Sequence, residues 1–78
     1  MSLLEGAPGS AYQVEGLDLP LELARRLEAL GLFPGSRVKI LQKKRRGAMI
    51  ITVRGTRFAL GMEIAAHIAV KGGREHAA

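Results

Sequence analysis

Apolar and polar residues alternate with a period of two over Ala11–Leu17 and again over Arg37–Gln42, where Val38 and Ile40 interleave with Arg37 and Lys39. Successive side chains of a strand point to opposite faces, so each run predicts a strand with one face turned to a core. Pro8-Gly9-Ser10 and Pro34-Gly35-Ser36 stand directly before them. Pro presets the first central position of a type II turn and Gly enters the positive-φ second position freely, so each Pro-Gly launches a strand. Further along, Met49, Ile51 and Val53 share one face of a third strand, and Phe58 and Leu60 one face of a fourth. Gly55-Thr56 reads as a two-residue type II′ connection between them, which sets Val53 opposite Phe58 and Ile51 opposite Leu60. The run Ile68–Val70 predicts a short last strand.

Between the first two strands the period changes. In "LPLELARRLEALGL" Leu23, Leu27 and Leu30 fall at i, i+4 and i+7, one stripe of a helix, while Glu22, Arg25, Arg26 and Glu28 take the other face. Pro20 suits the first helical turn and Gly31 the left-handed residue past the end; Asp18 is the candidate cap. A helix over about 20–30 follows. "MEIAAHI" adds a helical turn near 62–67. The pattern therefore predicts a mainly β domain, a small barrel of about five strands with one short amphipathic helix inserted after the first.

Composition narrows the class. With 78 residues the chain holds one domain at most, and 47% hydrophobic and 24% charged residues suit a globular one. The absence of Cys removes disulfides and thiolate metal sites. No stretch approaches the roughly 20 apolar residues that span a bilayer, and the start has no basic-then-apolar leader, so a cytosolic setting is expected. A net charge of +5 favours anionic partners without naming one.

Catalysis finds little to work with. Ser2, Ser10 and Ser36, two histidines and the lone Asp18 form no recognisable triad, and Ser10 and Ser36 are explained by their Pro-Gly turns. No glycine loop ending in Lys-Ser or Lys-Thr is present, so the chain hydrolyses no nucleotide by that route. For a metal, Glu63 and His67 stand at i,i+4 and could share a helical face, with His76 as a third donor from the tail. Two such ligands make at most half of a transition-metal site. An exposed His67 beside a charged neighbour is the plainer reading, and any divalent ion would be adventitious or regulatory rather than built in.

Cations are the stronger signal. Lys43-Lys44-Arg45-Arg46, closed by Gly47, reads as an exposed hairpin loop. Such a run serves either to discourage edge pairing or to meet an anionic partner. The Gly55-Thr56 turn would also set Arg54 across from Arg57, a like-charge pair that gains folding nothing. The two clusters would stand roughly 20 Å apart, at opposite ends of a strand of about six residues. Nucleic acid fits less well, because single-strand binders use exposed aromatic platforms and only Tyr12, Phe33 and Phe58 are available.

The order Arg26-Leu27, Leu30-Gly31-Leu32, Pro34-Gly35, Val38, Ile40, then Gly47, Ile51, Val53, Gly55, Ala59-Leu60, then Glu63, Ala65, Ile68, Val70 resembles the FeoA family, the ferrous iron transport protein A. The resemblance runs over residues 2–71 and leaves 72–78 as a flexible tail. It implies an SH3-like barrel and a cytosolic accessory of FeoB, a membrane transporter for Fe(II) with a cytosolic GTPase domain. It also implies kinship with domains of DtxR-type iron-dependent repressors. Relatives carry Pro- and Gly-rich residues where this chain has Lys-Lys-Arg-Arg-Gly-Ala, so the basic loop is not part of the shared pattern. The expected contacts with a partner are Lys43, Lys44, Arg45 and Arg46, with Arg54 and Arg57 secondary. A protein partner at the inner membrane face or anionic headgroups could meet them; separately, a homo-oligomer is possible. A nucleic-acid-binding module using the same loop is the alternative.

Overall fold

The computed structural model describes residues 1–44 and 47–72. Five antiparallel strands, β1 (Ala11–Leu17), β2 (Arg37–Lys44), β3 (Ala48–Val53), β4 (Thr56–Gly61) and β5 (Ile68–Gly72), form one sheet in the order β4-β3-β2-β1-β5. Helix α1 (Leu21–Ala29) follows β1, and α2 (Met62–Ala65) joins the two outermost strands. The predicted mainly β domain is therefore present. Its sheet curls around one core in which Leu3, Leu32, Val38, Ile40, Met49, Ile51, Ile68 and Val70 have no exposed surface.

Both Pro-Gly turns form as the sequence reads. Gly9 and Gly35 have φ of 90° and 94°, and Ser10 and Ser36 donate backbone hydrogen bonds to Ala7 and Phe33, closing each turn. Helix α1 ends in a Schellman motif: the N–H of Gly31 (φ 110°) reaches the carbonyl of Glu28, and that of Leu32 reaches Leu27. This stop changes one expectation. Leu30 stands at the cap, outside the buried stripe and 48% exposed, and Leu32 enters the core in its place. Asp18 is not the helix cap either. Pro20 occupies that position, while the Asp18 N–H donates to the carbonyl of His67.

The β3–β4 hairpin departs from the expected register. Its central residues are Arg54 and Gly55, with φ of 53° and 83°, the two positive values of a type I′ turn. Val53 thus pairs with Thr56, Ile51 with Phe58 and Met49 with Leu60. The slide is by two residues, so every side chain keeps its face. Met49, Ile51, Val53 and Leu60 are buried as expected, and Phe58, on the outermost strand, is half-buried.

The N-terminus adds an element that pattern did not predict. Leu3–Glu5 forms a 3-10 turn whose Leu3 is fully buried. Glu5 Oε1 accepts from the Ser2 N–H at 2.6 Å, Ser2 bridges to Ala69, and the Val70 N–H donates to Met1. The segment then crosses the barrel at Gly6, where a Cβ would stand 2.5 Å from Ile40 Cδ1 and 2.8 Å from the Tyr12 ring. Just beyond, the Tyr12 hydroxyl accepts from the Ala7 N–H at 2.7 Å.

Gly6→Ala is therefore expected to destabilise the fold by about 1–3 kcal/mol through overpacking. Combined with Ile40→Val, which deletes the clashing methyl, the loss should fall below the sum of the two single losses. Urea denaturation of the four proteins of that cycle checks this, and strict additivity would refute the close contact.

Candidate functional site

The cation run is half strand rather than all loop. Lys43 and Lys44 belong to β2, paired with Met49 and Ala48; Arg45 and Arg46 lie outside the described residues, as do His76 and 73–78 of the tail. The cause is a bulge. Ile40 pairs with Ile51 but Gln42 with Ile50, so Leu41 is an extra residue and the faces exchange beyond it. Lys43 consequently shares a face with buried Met49 and folds over the end of the barrel. Its Nζ donates to the Leu4 carbonyl at 2.7 Å, tying β2 to the N-terminal turn. Lys44 is exposed on the opposite face.

Arg54 does not face Arg57. Arg57 pairs with Thr52, while Arg54 sits within the turn with its guanidinium 5.7 Å from the centroid of the Phe33 ring, a cation–π contact. The like-charge pair that suggested an anionic partner is therefore absent, because the turn centres one residue earlier than expected. A left-handed non-Gly residue costs on the order of 1–2 kcal/mol, which the stacking partly offsets.

Arg54 belongs instead to a feature that sequence reasoning missed. A groove of about 740 Å³ opens on the outside of the barrel, lined by both Pro-Gly turns (Gly9, Gly35, Ser36), Phe33, Arg54-Gly55 and the outer positions Ala11, Arg37, Lys39 and Thr52. No Asp or Glu is among these residues. Register explains the assembly: Ala11 pairs with Lys39, Lys39 with Thr52, and Thr52 with Arg57, one row across four strands. Arg37 and Lys39 were visible as outward alternates of β2; their neighbours were not, since those depend on pairing. Ser36 is buried and spent on structure, its hydroxyl donating to the Phe33 carbonyl at 2.7 Å.

Glu63 and His67 are both exposed. Helix α2 ends at Ala65, so only Glu63 lies within it, and the chain is already turning toward β5 at His67. Among the described residues no three His, Cys, Asp or Glu side chains gather as a metal site, and no helix is long and apolar enough to cross a membrane.

The sequence matches the FeoA domain over residues 1–72. The chain belongs to the FeoA family. By sequence, no curated protein matches it. Among solved structures, an iron uptake regulatory protein (FeoA) is 31% identical with a TM-score of 0.83, the alignment covering 91% of this chain and 95% of that one. The FeoA of Stenotrophomonas maltophilia, solved with zinc and described as a procaryotic SH3 domain protein, is 33% identical with a TM-score of 0.77, covering 91% and 89%. Family membership and these neighbours establish the SH3-like barrel and tie the family to ferrous iron transport. A manganese-dependent transcriptional repressor shares the fold alone, at 20% identity and a TM-score of 0.76, covering 87% of this chain and 39% of that one.

Lys43→Met should lower stability by about 0.5–1.5 kcal/mol through loss of the bond to Leu4, whereas Lys44→Met should leave it unchanged. Chemical denaturation compares the two directly. Equal effects would remove Lys43 from the scaffold and return it to the surface charge.

Proposed function

We propose that this FeoA-family chain is a non-enzymatic accessory of bacterial ferrous iron uptake, a cytosolic interaction module for a FeoB-type transporter. Membership over residues 1–72 is the observation that carries the reading. The Stenotrophomonas maltophilia protein, put forward as a ferrous iron transport activating factor, points the same way. The interior supports it from the physical side. Packed side chains fill the barrel, so partners are met on its outside.

The outside is cationic, with Arg37, Lys39, Arg54, Arg57 and Lys44 exposed on or beside one sheet face. Such a face suits acidic protein surface, and anionic headgroups would add about 1 kcal/mol per cation near a membrane. Nucleic acid has less support, since the Phe33 ring is already stacked by Arg54 and no other aromatic lines the groove. A divalent ion on Glu63 and His67 would need further donors from another chain.

Full-length protein is expected to co-purify with the intact FeoB-type transporter from the same cell, and deleting its gene should slow initial Fe(II) uptake until the gene is restored. Absence of co-purification together with unchanged uptake would overturn the assignment.

A further inference from the structure

We infer that the outer groove between the two Pro-Gly turns is a docking site for an extended acidic peptide with carboxylates at alternate positions. The inference deepens the reading above by naming the chemistry of the partner segment; its geometry stands without the transporter's identity.

Arg37 and Lys39 lie two residues apart on β2 and point to the same face. Their repeat is roughly 6.6–6.8 Å, which is also the repeat of alternate side chains in an extended peptide. Acidic residues at every second position of such a segment therefore match both cations in one register. The flanks are low. Ala11 and Thr52 stand beside Lys39 on the neighbouring strands, and Gly9, Gly35 and Gly55 bring no side chains, so a backbone can come down onto the sheet.

One rim is armed. Arg54 lies in the groove, and Arg57 extends the row past Thr52. The Arg54 guanidinium stands 5.7 Å from the Phe33 ring centroid, and among the described residues no side-chain acceptor takes its N–H groups. A guanidinium's fork of donors suits a carboxylate. With no Asp or Glu in the lining, nothing within the groove neutralises these cations. An overall charge of +5 also disfavours a second copy of the chain as occupant.

Fluorescence anisotropy with the full chain tests this, using a labelled peptide of alternating Glu and Thr and a control of alternating Gln and Thr. The Glu peptide should bind with steep salt dependence and the Gln peptide should not. Arg37→Glu with Lys39→Glu should weaken binding by roughly tenfold or more, while Arg25→Glu with Arg26→Glu, an equal charge change on exposed helix positions, should have far less effect. Arg37→Gln with Lys39→Gln serves should the reversal disturb folding, and the same order should hold.

Equal losses in the groove and helix variants would overturn the inference, because they would mean bulk charge alone. So would tighter competition by single-stranded DNA than by free Glu peptide, or self-association that the groove substitutions abolish. Co-purification with the transporter separates the two readings. If the groove variants lose the peptide but keep the transporter, the site is wrong as its contact and the interaction module stands. If the peptide binds as expected and the transporter does not, the groove stands and the uptake assignment falls.

Discussion

One interior serves all five strands, and that fixes which way every side chain turns. A chain this small has no second core, so each strand must give alternate residues to the same shared space. Val38 and Ile40 from β2, Met49, Ile51 and Val53 from β3, and Val70 from β5 are all but completely buried on these terms. Where the alternation must break, the chain inserts a residue. Leu41 does so against β3, and Glu15 does so where β1 leaves the Val14–Val70 pair for Gly16–Ala69. The first bulge brings the exposed Lys43 to the Leu4 carbonyl of the N-terminal turn; the second lets Leu17 pair with the buried Ile68.

Much of this was legible in the residues. The Pro-Gly turns fixed the starts of β1 and β2, since few other dipeptides supply the needed φ values. The hairpin slid by two yet kept the expected residues on the core face, Phe58 only half-buried there, because inside-versus-outside parity survives an even slip and fails on an odd one. What escaped was information carried by pairing. Leu3 lies in a three-residue turn, too short to show any period, and only its place against β5 makes it core. The bulges did leave a trace, as Val14 and Leu17 stand three apart and Ile40 and Leu41 are adjacent.

The candidate site was less legible for the same reason. A run of four cations draws the eye, but its members do different work: Lys43 is bonded to the N-terminal turn and Lys44 lies exposed across from Ala48. The outer groove gathers Phe33, Arg37 and Lys39 from one stretch of chain and Arg54 from another, and neither stretch shows the other as its neighbour until the strands pair. Arg54 shows how local rules can mislead. A glycine-led turn was the economical reading of Gly55-Thr56, yet the structure places Arg54 in the left-handed region, where its side chain reaches Phe33 and packs beside Gly31.

Fold and surface are thus two consequences of one parity. Filling the interior with alternate residues packs it with apolar side chains, and it sends the remaining alternates of β2 outward as Arg37 and Lys39. Pairing then aligns Lys39 with Ala11, Thr52 and Arg57, with Arg37 one repeat along β2 beside Gln13, so the cations inherit their spacing from the sheet rather than from flexible side chains. A site built this way is preorganised for ligands that repeat at the strand interval, and an extended chain repeats at that interval. Changing the outer residues would alter which partner is recognised while the core, and with it the family fold, stays as it is.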